Sequence, residues 1–411
     1  VTWTSVTNWE LELVLASGTN AFCLTGWDRL GRPVPGAAVC MTMLYFGDTE
    51  SAATNLVFTE VLNHPAAPDT EFIELHSRAT QTAFDLGGVE LSGMLADPEA
   101  ANRLTEPTAK FRSGTILRPG GRAVVAHNRA QFYAAFGARA RVAGEFDGDL
   151  FDAEKHRPAA LGLFLSSGTL CFPLQRFPMP LTAPGVSLQL LDAREFNWLP
   201  GNWATDPGAS ATPGLSNSVT ADLSPFPRVA IEVVLPRNAT LMADAAGEFD
   251  PFLLLYNYNP TALDLSGYQL AAYDIPADEL WFDYEMLQRA GLATKAMAPP
   301  GWTFPPGSVI GSNEFRIVWL DGQPAQTTAL EWHTSFRASP ESGRLVLSRS
   351  LGGRSIYLDH FDYGVLRPAA EDVPFGRFEI GWGFGAVGVE FNPHGGIGGI
   401  GGGGGGSGGG G

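Results

Sequence analysis

Two stretches decide the fold: EFIELHSRATQTAFDLGGVELSG at Glu71–Gly93, and PFLLLYNYNPTALDLSGYQLAA at Pro251–Ala272. Each opens on a short apolar run that reads as a strand, and each then places Asp-Leu just ahead of a glycine turn, at Asp85-Leu86 and at Asp264-Leu265. A second pair of blocks follows in the same order, GTILRPGGRAVVAHN at Gly114–Asn128 and GSVIGSNEFRIVWLDG at Gly307–Gly322. Two sets of blocks in one order imply two copies of one fold.

Working outward, the first copy adds strands at Leu56–Leu62, Arg122–Ala126, Leu161–Leu165 and Val186–Leu191. Asn128 is placed to cap a short helix that ends at Phe136 and is stopped by Gly137. The second copy adds strands at Val229–Leu235, Phe315–Leu320, Arg344–Ser348 and Ser355–Asp362. An insertion separates its blocks, and Asp278–Ala290 within it has helical periodicity. Residues 1–46 read as strands and turns only: Trp9–Leu15, Ala21–Asp28 and Ala38–Phe46. Their pattern resembles the last strands of bacterial immunoglobulin-like repeats. A sandwich of that type needs about seven strands, so either the chain starts within a module or another chain supplies the missing strands. The expected division is a partial immunoglobulin-like module at 1–47, a linker at 48–55, domains at 56–218 and 229–380 joined by 219–228, and a Gly-rich tail at 381–411.

The repeated blocks resemble the lamin tail domain in its bacterial secreted form. The first copy carries the resemblance in Thr59-Glu60, Glu71-Phe72-Ile73-Glu74-Leu75, Asp85-Leu86-Gly87-Gly88, Gly114–Gly121 and Leu165–Gly168, with an ending from Asn202-Trp203 through Thr212-Pro213-Gly214 to Asn217. The second carries it in Asp264-Leu265-Ser266-Gly267-Tyr268, Trp302 to Pro305 and His333–Phe336. Leu254 stands where the family has a Glu, and the Pro-Gly-Gly turn is only partly kept, as Gly311-Ser312-Asn313. The resemblance implies an all-β fold of tandem immunoglobulin-like β-sandwiches, and a binding or scaffold role with no catalytic residue.

Composition bounds the partners. Lys+Arg 26 against Asp+Glu 43 gives a net charge of −17, which on average repels nucleic acid and anionic lipid. The only lysines, Lys110, Lys155 and Lys295, lie far apart. No apolar run of about 18 residues is present to suggest a membrane span. Val1 is not preceded by Met and reads as a processed or truncated start. Cys23 and Cys40 lie equally far from the Gly31-Arg32 turn, which would place them on facing strands. A disulfide in an oxidising compartment is one reading and two buried thiols the other. Cys171 is then left over.

Motifs for chemistry are weak. Gly383–Gly388 fits GxGxxG but lacks the following helix that a dinucleotide site needs. His64, His76 and His127 fall on sheet regions of the first copy and, with Glu74, could converge on a metal; strand-packed imidazoles are the plainer reading. Asp147, Asp149 and Asp152 are a calcium candidate, as is the acidic run Asp244–Asp250; a solvated acidic turn is the plainer reading of each. Trp198 and Trp203, in a Pro/Gly-rich stretch, are the best candidates for exposure and carbohydrate contact; local packing is the plainer reading. Asn238-Ala239-Thr240 is a glycosylation sequon. The tail from Gly395 to Gly411 reads as a flexible linker or as ordered polyglycine packed between subunits.

The expectation is a secreted, non-catalytic structural or adhesive protein, a subunit of a surface or filamentous assembly that binds itself or other surface proteins. Accessory modules holding a larger secreted enzyme to a polysaccharide or cell surface are the alternative, and a metal-dependent hydrolase is the third reading.

Overall fold

The computed structural model describes residues 2–94, 104–152, 157–158, 160–165, 170–175, 182–206, 208–274, 301–351, 354–364 and 368–376. The helical reading of Asp278–Ala290, the Gly383–Gly388 motif and the tail from Gly395 lie outside the described residues, as does the side chain of Cys171.

The chain is all-β. It opens with an antiparallel ribbon of β1 (Gly18–Trp27) and β2 (Pro33–Tyr45). Asp28 closes its turn, its Oδ1 accepting the N–H groups of Leu30 at 2.8 Å and Arg32 at 3.0 Å. The strand expected over Trp9–Leu15 shrinks to Trp9–Glu10, paired with Thr2–Trp3.

After one helical turn at Ala52–Asn55 the first sandwich begins. Its elements are β3 (Leu56–Leu62), β4 (Phe72–Ser77), β5 (Val89–Met94), β6 (Leu104–Lys110), β7 (Arg122–Ala126), α1 (Arg129–Phe136), β8 (Val142–Glu145), β9 (Ala160–Leu165), β10 (Leu170–Gln175), β11 (Leu188–Leu190) and β12 (Trp203–Thr205). One sheet has the order β8-β7-β4-β3-β11-β12 and the other β10-β9-β5-β6. Between them lies one apolar core, with Phe58, Ile73, Leu75 and Val125 on one side and Leu91, Ala109, Leu161 and Leu163 on the other. Asn128 caps α1, accepting from the N–H of Ala130 and Gln131, and Gly137 ends it at φ 74°.

The second sandwich comprises β13 (Val229–Leu235), β14 (Phe252–Asn257), β15 (Gln269–Tyr273), β16 (Trp302–Thr303), β17 (Phe315–Trp319), β18 (Trp332–His333), β19 (Gly343–Leu351), β20 (Arg354–Tyr363) and β21 (Phe375–Gly376). Its sheets have the orders β18-β17-β14-β13-β21 and β16-β15-β19-β20. The two quoted stretches therefore occupy the same place in the same topology. Each gives a central strand of the larger sheet (β4, β14), then an inner strand of the smaller one (β5, β15). β7 and β8 pair in parallel, as do β17 and β18. A register shift falls at the same point of the first strand, between Phe58 and Glu60 and between Ile231 and Val233.

The Asp-Leu block has a local cause. Asp85 Oδ1 accepts the N–H of Gly87 and Asp264 Oδ1 that of Ser266, both at 2.8 Å. The next residue, Gly88 or Gly267, takes φ 82°, a conformation that favours glycine.

Both larger sheets are covered on their outer faces as well. Phe132 of α1 packs over Leu62, Phe72, Val124 and Ala126. Leu241 and Met242 pack against Leu235, Phe252, Leu254 and Trp319. Strands buried on both faces need apolar residues at successive positions, which is why β14 reads as the continuous run Phe252–Leu255; in β4 the buried Glu74 interrupts it. Trp198 and Leu199 join the core of the second sandwich, and Arg228 pairs with Glu195 at 2.6 Å, tying the two halves together. No helix among the described residues is long and apolar enough to cross a membrane.

Candidate functional site

The β1–β2 ribbon has two unlike faces. Opposed residues share a face and alternate along each strand. The pairs Asn20–Met43, Phe22–Met41 and Leu24–Val39 therefore lie together on one side, and Thr19–Leu44, Ala21–Thr42, Cys23–Cys40 and Thr25–Ala38 on the other. The first face is apolar, yet Val39 is 55% exposed, Met43 43% and Met41 39%. Cys23 and Cys40 form a disulfide, with Cα atoms 4.1 Å apart. Away from the turn, neither β1 nor β2 contains an Asp, Glu, Lys or Arg, in a chain of net charge −17. The segments on either side of it are anchored by charge. Arg118 Nε and a terminal nitrogen donate to Glu12 at 2.9 and 2.8 Å. The Glu50 carboxylate accepts the N–H groups of Thr80, Gln81 and Thr82, which hold its carboxyl down at about 2.

A buried carboxylate clamp holds the end of the first copy. Glu60 Oε1 accepts from Ser187 Oγ at 2.6 Å and from the Thr212 N–H at 2.7 Å, while Oε2 accepts from Thr212 Oγ1 at 3.0 Å. Glu74 Oε2 accepts the Gly214 N–H at 2.6 Å, and its Oε1 takes Thr59 Oγ1 at 2.6 Å and the Arg122 guanidinium. Burial pushes the Glu60 carboxyl up to about 7 against the pull of its donors. These bonds pin Thr212–Gly214 onto the larger sheet. Their partners are all within the chain, so the clamp is structural.

A third cluster lies at one end of the second sandwich. Asp244, Asp321 and His333 are buried, and each offers one potential ligand atom within 4.8 Å of the other two. His333 Nδ1 is 2.5 Å from Asp321 Oδ2. Asp321 Oδ1 accepts the Gln323 N–H at 2.9 Å and Asp244 Oδ1 the Glu248 N–H at 2.8 Å. Asp244 Oδ2 and His333 Nε2 are buried without a hydrogen-bond partner. Asp244 also lies within 4.8 Å of Glu248 and Asp250 by the same measure.

The residues picked out by sequence fare unevenly. His76 stands opposite Arg122 at one end of β7, and His127 follows Ala126 at the other, so these imidazoles do not converge. His76 Nδ1 meets the Gly121 carbonyl at 3.1 Å, and burial pushes its imidazole down to about 4. His64 Nδ1 meets the Thr182 carbonyl at 2.7 Å, and His127 Nδ1 lies 3.5 Å from Glu71. Burial, with Asp149 adding repulsion, pushes the Glu71 carboxyl up to about 8. Asp147 bridges Thr108 through its backbone. Among the described residues neither it nor Asp149 belongs to a group at ligand distance, and the Asp152 side chain lies outside them. Trp198 and Trp203 are not exposed: each is 8% accessible. Trp198 stacks on Phe196 at 5.2 Å, and Trp203 Nε1 donates to the Asn197 carbonyl at 2.6 Å. Both rings are taken up by packing, Trp203 in the core of the first sandwich and Trp198 in that of the second. The Asn238 amide donates to the carbonyls of Met242 and Asp250, which engages the nitrogen a glycan would need. Asp321 and His333 were missed as ligands. An Asp-Gly following an apolar strand is the one local signal, and it reads first as a turn.

No family model matches the chain, and no curated protein matches it. Among solved structures it is similar to a DUF4876 family protein from Bacteroides thetaiotaomicron VPI-5482, at 11% identity over 48% of this chain and 54% of that one, with a TM-score of 0.19. The chain thus spans about half the length of that structure.

Proposed function

We propose that this chain is a non-catalytic structural or adhesive subunit of an extracellular assembly. It is built from two sandwiches of lamin-tail, immunoglobulin-like type that present the β1–β2 ribbon to a second copy of the chain. The observation that carries this reading is the apolar face on which Val39, Met41 and Met43 are exposed beside the half-buried Phe22 and Leu24. An isolated two-stranded ribbon is marginal in water, and each of its strands leaves one edge unpaired among the described residues. Two copies of net charge −17 repel one another, so contact is favoured where ionised groups are absent, and the ribbon strands are such a place. The Cys23–Cys40 disulfide supports an oxidising, extracellular setting.

Sedimentation velocity tests this. The native chain should gain mass with concentration, and Met41→Glu combined with Val39→Glu should return it to a 43.8 kDa monomer with both sandwiches folded. A native chain that stays monomeric at its highest soluble concentration refutes the proposal.

A further inference from the structure

We propose that Asp244 Oδ2 and His333 Nε2 bind one divalent transition-metal cation, of the zinc class, at the end of the second sandwich, with Asp321 orienting the imidazole through Nδ1. The inference rests on two observations together. Three metal-ligating groups come from separate segments to one buried point: Asp321 just after β17, His333 at the end of β18 and Asp244 from the loop that leads to β14. Independently, two atoms there are buried without a hydrogen-bond partner, Asp244 Oδ2 and His333 Nε2. Leaving a carboxylate oxygen and an imidazole nitrogen desolvated and unpaired is costly.

The remaining atoms are held as ligands require. The 2.5 Å approach of His333 Nδ1 to Asp321 places the ring proton on Nδ1 and leaves the lone pair on Nε2. That is the carboxylate–histidine pairing by which metal-bound imidazoles are oriented. Backbone N–H groups fix one oxygen of Asp321 and one of Asp244. The Trp319 ring stacks 6.2 Å from the imidazole and walls the site. The nearest other carboxylate to Nε2, Glu331 Oε2, is 3.9 Å away, too far for a hydrogen bond. Two ligands of one zinc stand about 3.4 Å apart at tetrahedral geometry, and Asp244 and His333 bring ligand atoms within 4.8 Å of each other.

The donor set selects the class. Imidazole nitrogen with carboxylate oxygen suits zinc or manganese better than calcium, which takes oxygen alone. The all-oxygen group of Asp244, Glu248 and Asp250 is weakened by Arg337, which pairs with Asp250 at 2.8 Å. The site belongs to the second copy only. By strand register the counterparts of Asp321 and His333 are Asn128, which caps α1, and Glu145, which accepts the Arg129 N–H. A bound ion would fasten the 238–250 loop to the β17–β18 edge.

The test uses the full chain, stripped with chelator and then dialysed separately against zinc, manganese and calcium. Metal content per chain is read by mass spectrometry, and thermal midpoint by calorimetry. We expect one zinc per chain, a raised midpoint with zinc, and affinity at least about 100-fold weaker in His333→Gln and in Asp244→Asn. Asp244→Asn keeps the oxygen that accepts from Glu248, so folding should survive. If His333→Gln does not fold, cobalt absorption of the native chain replaces it, with a ligand-field band lost in Asp244→Asn as the expected result. No stoichiometric metal overturns the proposal, as does zinc binding unchanged in both variants. Calcium binding that His333→Gln leaves intact would overturn it too, in favour of the all-oxygen group. None of these outcomes depends on whether the ribbon self-associates.

Discussion

Replacing Glu74 by Ala should destabilise the first sandwich by about 3–5 kcal/mol, the usual cost of breaking a buried ion pair from one side. Glu74 is fully buried and Arg122 is 20% exposed at its side chain, so the guanidinium left behind is only partly hydrated. The Gly214 N–H also loses its acceptor, a penalty of about 1–3 kcal/mol if water does not replace it. At about 2–4 °C per kcal/mol for a module of this size, the midpoint of that transition should fall by about 6–20 °C. The molecule supplies its own control. By register, Glu74 and Arg122 correspond to Leu254 and Phe315 in the second copy. There Leu254 joins an apolar cluster with Phe252 and Trp319, and Phe315 packs on Tyr256 at 4.4 Å. Glu74→Leu with Arg122→Phe should therefore cost far less than Glu74→Ala, because no charge is stranded. Calorimetry with hydrogen exchange over β4 and β14 separates the two sandwiches. A Glu74→Ala midpoint within 1 °C of native, or a double variant costing the sum of its singles, would refute the reasoning.

Acid should stabilise the first sandwich in a defined window. Glu60 at about 7 and Glu71 at about 8 both sit above their ordinary 4.5. The folded state thus keeps protons that the unfolded chain releases. Stability is greatest near pH 4.5, declines as pH rises through 7 to 8 and is flat above. Melting should be higher at pH 5.5 than at pH 8.5, with a smaller difference in Glu60→Gln; an equal or reversed order contradicts the assignment. Glu50, held at about 2, acts in the opposite sense and loses its contribution only as pH falls from 4.5 toward 2. Removing the disulfide by Cys23→Ser with Cys40→Ser frees a closure of sequence separation 17, worth roughly 3 kcal/mol. Amide exchange in β1 and β2 should quicken while both sandwich transitions stay in place. Unchanged ribbon protection would show that something other than the cross-link holds it.

What was legible in the sequence was local or repeated. The Asp85 and Asp264 turns could be read because a carboxylate accepting an N–H two residues on and a left-handed glycine need only neighbours. Asn128 and Gly137 bounded α1 for the same reason. The sandwich pairing followed from the two copies keeping one order of blocks. What failed depended on distant packing. The Pro/Gly-rich setting of Trp198 left exposure open beside packing, and no local signal names Phe196 and Tyr258, which enclose it where the halves meet. The Asp244–Asp250 run was visible as acids, but its buried partners arrive through the parallel β17–β18 pairing and a strand-end turn. No spacing in the chain encodes that convergence. Leu254 in place of Glu reads as a lost motif residue. In the fold it packs among Phe252 and Trp319, where its counterpart Glu74 holds the Gly214 N–H.

The most direct test of the account is a cross-link across the ribbon. Isotopically light and heavy chains carrying photo-methionine would be mixed and irradiated, then mapped from Met41 and Met43 by mass spectrometry. We expect light-to-heavy links joining Met41 or Met43 to the apolar face of another ribbon. Links found only within single chains would contradict the claim that this face is where copies of the protein meet.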